Sequence, residues 1–133
     1  MLRLSRKVDY GLAFLSELAN NPKDWTALSE VSGRRKISSK FLSQLAMALR
    51  GAGLIISKEG IGGGYKLVKK PSDINIKEVV EALEGKMALV DCFCASGNQR
   101  CSMRDNCDQK EVWSRVQNEL GNTLARITLA DFK

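Results

Sequence analysis

From Ser5 onward, apolar residues recur at Val8, Leu12, Leu15, Leu18 and Ala19, a three-to-four spacing that keeps one face of an α-helix apolar. Ser5 is a suitable N-cap, and the helix is expected to stop before Asn20-Asn21-Pro22, where proline removes a backbone donor. A second, short helix is predicted from about Thr26, carrying Leu28 and Val31 and ending at Gly33, with Arg34-Arg35-Lys36 as a basic turn. Ser38 or Ser39 then caps a third helix, in which Phe41, Leu42, Leu45, Ala46 and Leu49 share a face as far as Gly51 and Gly53. The rhythm changes after that. Leu54-Ile55-Ile56-Ser57 and Tyr65-Lys66-Leu67-Val68 read as short strands, and Gly60-Ile61-Gly62-Gly63-Gly64 between them as the tip of a hairpin.

Past Pro71 the helical spacing returns. Asn75 and Glu78 stand three apart ahead of Val79, Val80, Ala82 and Leu83, the spacing of a capping box, and Gly85 supplies the stop. This helix is expected to pack back on the first three. A loop from Ala88 to Cys107 follows, and Asp108 with Glu111 has the spacing of a second capping box opening a last helix. Its apolar positions, Trp113, Val116, Leu120, Leu124 and Ile127, make a narrow stripe. Such a stripe is either a seam with a second copy or a face packed on its own chain, and Gly121-Asn122 weakens it. The expected fold is mainly α with a small β-hairpin: a winged helix-turn-helix over 1–85, a cysteine-rich loop over 86–107, and a dimerisation helix with a C-terminal tail over 108–133.

A chain of 133 residues with 44% hydrophobic residues has material for one core and an appendage. No run approaches the roughly 18 apolar residues of a membrane span, and the start lacks the apolar stretch of a signal peptide. A soluble, cytoplasmic protein without membrane contact is expected. The net charge of +6 is unevenly placed. Residues 1–70 hold 13 Lys and Arg against 5 Asp and Glu, whereas residues 71–133 hold 8 against 10. A basic half beside a slightly acidic one is the distribution expected when one part of a small protein meets phosphate, and a solvated basic face is its plainer reading. Without histidine the chain offers no paired acid and base, and its glycine run lacks the spacing of a phosphate-binding loop, so no enzyme is expected.

Cys92, Cys94, Cys101 and Cys107 fall within sixteen positions on a polar stretch. Clustered cysteines in an intracellular protein point to metal or redox chemistry rather than to disulfide staples. Zinc sites favour thiolates paired with two to four residues between them, and no such pair is present. The wider spacing suits a larger iron-sulfur core. Zinc and reversible thiol switching stay open as alternatives.

The run Arg3-Leu4-Ser5-Arg6-Lys7-Val8-Asp9-Tyr10, then Gly62-Gly63-Gly64-Tyr65, then Cys94, Cys101 and Cys107 resembles the IscR and NsrR family of winged-helix regulators over nearly the whole chain. Trp113 and Ile127-Thr128-Leu129 fit the same pattern. The resemblance implies a homodimer that binds a double-stranded DNA operator, as a repressor, under control of a 4Fe-4S or 2Fe-2S cluster on Cys94, Cys101 and Cys107. In one branch the fourth ligand is a histidine three residues after the last cysteine; Lys110 stands there and the chain has no histidine. In the other branch it is an aspartate in the first helix of the partner subunit, and Asp9 occupies that position. Cys92 or an external ligand are the alternatives. A carboxylate, being a hard and weak ligand, would leave one iron reactive toward nitric oxide, another redox effector or iron supply. The plainer role of Asp9 is a surface carboxylate favoured by the helix dipole.

In a DNA complex of this kind, Ser38, Ser39, Lys40, Ser43 and Gln44 are expected at the major groove, with Gln44 suited to adenine. Arg34, Arg35, Lys36 and Lys58, and the backbone N–H groups of Gly62, Gly63 and Gly64, are expected at phosphates. Glu59 stands where one branch carries a basic residue, so a target sequence cannot be carried over. A small electron carrier would also hold a cluster on cysteines, but has no use for a basic half with a wing.

Overall fold

The computed structural model describes residues 3–89 and 108–132. Its helices are α1 (Arg6–Asn20), α2 (Leu28–Arg35), α3 (Ser39–Gly51), α4 (Ile76–Glu84) and α5 (Lys110–Arg126). Strands β1 (Ile55–Lys58) and β2 (Gly64–Leu67) form an antiparallel hairpin between α3 and α4, with Ile55 opposite Leu67 and Lys58 opposite Gly64. Short 3-10 turns lie at Pro71–Asp73 and Leu129–Phe132. A mainly helical winged helix-turn-helix is therefore observed.

α1 runs through the middle of the core. It buries Val8, Phe14, Leu15, Leu18 and Ala19 from its apolar face, together with Gly11, where a methyl group would overlap the Leu83 side chain of α4. Leu12, expected in the stripe, is only half-buried, and Phe14 takes its place against Tyr65 of the wing, edge to face at 5.7 Å. α3 adds Leu42, Leu45, Ala46 and Leu49, and α4 adds Ile76, Val79, Val80 and Leu83. Ser5 precedes α1 as its N-cap, but its hydroxyl bonds Glu84 at the end of α4 rather than the helix backbone.

Three expected boundaries shift. α2 begins at Leu28, not at Thr26, because Thr26 pairs as an isolated antiparallel bridge with Tyr65 of β2. Its N–H donates to the Tyr65 carbonyl at 3.0 Å, and the Tyr65 N–H donates to its carbonyl at 2.8 Å. α2 also runs through Gly33 and ends at Arg35; the left-handed stop is Lys36, at φ 55°. Asp108 and Glu111 form no capping box, since α5 opens at Lys110 with Gln109 in helical geometry at its N-cap. By contrast, Asn75 and Glu78 form the expected box on α4: Glu78 N–H donates to Asn75 Oδ1 at 2.9 Å, and Asn75 N–H donates to Glu78 Oε2 at 3.3 Å.

α5 lies against α4, and the chain after it returns to the core. Ile76 N–H donates to the Ile127 carbonyl and Leu129 N–H to the Ile74 carbonyl, both at 2.9 Å, and the Leu129 side chain is buried with α1 to α4. The apolar stripe of α5 is thereby divided. Leu124 packs on its own core, Leu120 is half-buried, and Trp113, Val116 and Ile127 are exposed. Among the described residues no helix is long and apolar enough to cross a membrane. The four cysteines lie outside the described residues.

Candidate nucleic-acid interface

The turn between α2 and α3 is built from opposed charges. Glu17 of α1 is buried, and its two carboxylate oxygens accept from Arg35 Nε at 2.7 Å and Arg34 Nη1 at 3.2 Å. Burial alone would raise the Glu17 pKa, but hydrogen bonds from Arg35 and Arg34 and their positive charge outweigh it and hold the carboxyl below its usual value of 4.5. Both arginines were expected as phosphate contacts. In the structure they clamp the helix-turn-helix to α1 through Glu17, an acid with no role in the sequence reading, while their side chains stay about half exposed. Lys36 is exposed and unpaired among the described residues. The signal for Glu17 was its place between Leu15 and Leu18 on the buried side of α1, on a different helix from the basic pair 17 and 18 residues later, with which no periodicity connects it.

Ser38 caps α3, its hydroxyl accepting from Phe41 N–H at 3.3 Å. Leu42 and Leu45 fix the helix from beneath, and Phe41 leans edge-on against Tyr10 at 5.6 Å between ring centres. This leaves Ser39, Lys40, Ser43 and Gln44 exposed on one face, with Ser38 at its start, so all five expected groove-facing residues come together. Met47, exposed one turn beyond Ser43, extends that face and was missed because a methionine on an amphipathic helix reads as core.

The wing is pinned to the start of α2. Gly64 passes so close to Thr26 that a methyl group would overlap the Thr26 carbonyl, and only glycine fits. At the tip, Gly63 N–H donates to the Gly60 carbonyl at 3.1 Å, and Gly62 takes φ 78°, the third-position requirement of a type II turn. Of the three N–H groups expected at phosphates, that of Gly63 closes the turn, while Gly62 lies at the exposed tip and Gly64 against Thr26. Lys58, which is exposed, lies 5.9 Å from the centre of the Trp25 ring and Lys66 5.5 Å from it, a pair of cation-π contacts at the base of the wing.

Asp9 sits exposed in the first turn of α1, without a hydrogen bond or ion pair to another described side chain. Val112, Val116 and Leu120 line an open groove on α5 of about 460 Å³, with Arg115, Glu119 and Thr123 completing its walls; Trp113 is exposed on the same helix but does not line it.

Residues 4–133 match the family described as Rrf2, an iron-dependent transcriptional regulator. The protein rrf2 of Nitratidesulfovibrio vulgaris is 32% identical over 131 residues, which span 98% of this chain and 86% of that protein. Among solved structures, CymR of B. subtilis, described as its global cysteine regulator, superposes with a TM-score of 0.80 at 29% identity, covering 99% of this chain and 96% of that one. IscR of T. potens superposes at 0.73 with 31% identity, covering 98% and 85%. An exposed polar recognition face beside a pinned wing, matched over its whole length in this way, places the chain in the Rrf2 family of DNA-binding transcription regulators.

Proposed function

We propose that this chain works as a homodimeric repressor whose grip on its operator is set by an iron-sulfur cluster held on Cys94, Cys101 and Cys107. The observation that carries the proposal is the position of α5. It opens three residues after Cys107, and its far end is bonded into the reading head through Ile127 and Leu129. A change in the cysteine segment thus acts on a helix that is tied to the core and has an apolar groove open to a second copy. Displacing α5 alters the spacing of two α3 helices, and paired recognition helices fit a duplex only at a set separation.

The donor set suits such a group. Three thiolates are soft ligands that favour iron-sulfur cores, and an exposed carboxylate at Asp9, free of other partners among the described residues, is a reasonable fourth donor from the partner subunit. Cys92 is the alternative donor. When bound, the cluster supplies sensitivity to nitric oxide, oxidant or iron supply. The chain's own part is to hold it with thiolates, to keep one position weakly ligated, and to relay its presence through α5.

Anaerobic purification, iron and sulfide analysis and native mass spectrometry test the proposal, with Asp9→Ala and Cys92→Ala compared. Expected are a coloured dimer, a cluster made labile by Asp9→Ala, and operator binding that differs between holo and apo protein. Colourless protein free of iron and sulfide, or identical binding curves for the two forms, would falsify it. The likeness to a cysteine regulator favours a second reading, thiol switching or zinc without a cluster. Iron-free protein whose DNA affinity responds to peroxide and dithiothreitol supports that one.

A further inference from the structure

The two cations of the wing are both drawn to its base. Lys58 and Lys66 lie 5.9 and 5.5 Å from the centre of Trp25, and Lys66 also donates to the Lys23 carbonyl at 2.9 Å. What remains at the tip, residues 59–63, is one carboxylate, Glu59, one large apolar side chain, Ile61, and three glycines. A tip of that composition has no cationic side chain to offer a phosphate, and Glu59 repels it. Ile61 is fully exposed at the second position of the type II turn. Its neighbours Gly60 and Gly62 have no side chains to limit its approach to another surface. Nor can the tip fold back, because the turn is closed by the Gly63 to Gly60 bond and the following strand is held to Thr26.

We propose that Ile61 is an apolar wedge that enters the DNA minor groove beside the major-groove site of α3, and that it selects A·T pairs there. The floor of the minor groove at A·T pairs presents acceptors without protruding groups. A G·C pair adds the guanine 2-amino group, which an isoleucine can neither pair nor avoid. Apolar side chains inserted from wings and arms gain affinity by burial and by easing a bend of the duplex. Seating one isoleucine corresponds to roughly ten-fold in affinity. The inference rests on operator binding alone and is independent of how the cysteine segment controls it.

The test starts from a duplex selected out of a random pool by the native full-length protein. Base pairs flanking the major-groove positions are replaced one at a time by G·C and by inosine·C, which keeps the G·C pattern in the major groove but lacks the 2-amino group. Under the wing, G·C is expected to weaken binding roughly ten-fold and inosine·C to restore it. Ile61→Ala should lower affinity for the selected duplex by about the same factor and abolish the discrimination, with the salt dependence and thermal unfolding unchanged. Ile61→Val should keep most of both.

Ile61→Ala protein with native affinity and native base preference would overturn the proposal. So would a preference for G·C that inosine·C removes, since that assigns the reading to the Glu59 carboxylate accepting from the guanine amino group; Glu59→Ala, which has no acceptor, would then erase it. Native protein that selects no duplex at all is a failure of operator binding, and is told apart because it precedes any effect of position 61.

Discussion

Helices α3 and α5 are both amphipathic, but they differ in what covers the apolar face. α3 spends thirteen residues to bury Leu42, Leu45, Ala46 and Leu49 completely in its own chain, and what it shows to solvent is largely hydroxyl, amide and ammonium. α5 is longer, at seventeen residues, yet Gly121 is its one fully buried residue, and Val112, Trp113 and Val116 are left outside. An exposed apolar row is informative where an exposed polar one is ordinary. The first helix is finished as a folding unit and free to meet a polar polymer. The second is incomplete within one chain, which is what a homodimer through α5 predicts.

The largest effects should separate these two conditions. Leu42→Ala removes a side chain with no exposed surface and is expected to lower unfolding stability by about 3 kcal/mol, within the range for cavities in a packed core. Val116→Asp, at a position 43% exposed, should leave the stability of the isolated chain within about 0.5 kcal/mol of native. It should nevertheless convert dimer to monomer in sedimentation and weaken operator binding more than about a hundred-fold, since paired half-sites are lost. A Val116→Asp protein that sediments as a dimer would move the seam away from this groove.

The same contrast explains what could be read from the sequence. α1, α3 and α4 were legible because their burial is decided within the chain, so a three-to-four spacing maps directly onto the core, and the Asn75-Glu78 cap is a purely local matter. The α2 boundaries were not, because Thr26 answers to Tyr65 across 39 residues of chain rather than to its neighbours. Arg34 and Arg35 were assigned by charge alone, and charge cannot show that a buried Glu17 has already engaged them. For α5 the spacing was correct, but a stripe does not say whether Leu124 and Val116 face the same partner. In the structure they do not.

Of intermediate size is the effect of opening the clamp beneath α3. Glu17→Gln is expected to destabilise by about 2 kcal/mol, less than the roughly 3 to 5 typical of breaking a fully buried pair, because both arginine side chains are about half exposed. The Glu17 carboxyl titrates below its ordinary 4.5 in the folded protein, so it binds fewer protons there than when unfolded. Its contribution is complete above that ordinary value and is lost as pH falls through the lower folded one. Urea titrations from about pH 7 down to about pH 3 should therefore show a native acid-side decline that is smaller in Glu17→Gln. Freed arginines should also steepen the salt dependence of DNA binding, by at most about two phosphate contacts. An unchanged salt slope would show that opening the clamp adds no phosphate contact from Arg34 or Arg35.

The smallest effect tests the joint between the two regions. Asn75 caps α4 through its bond from Glu78 N–H, and the same residue is the bridge partner of Thr128, just past the end of α5. Replacing it by alanine is expected to lower stability by about 1 kcal/mol, as for other lost N-caps, or roughly 3 to 5 °C in the melting temperature of a domain this size. The location of the change matters more than its size. Hydrogen exchange should quicken at the Ile76 and Leu129 amides, which bond across this joint to Ile127 and Ile74, while the amides of α3 keep their native rates. In that case the reading head and α5 open separately, as the proposed relay from the cysteine segment to the DNA-binding face requires. Equal acceleration in α3 would instead mean that they unfold as one cooperative unit, and the contrast between the two helices would be one of surface and not of stability.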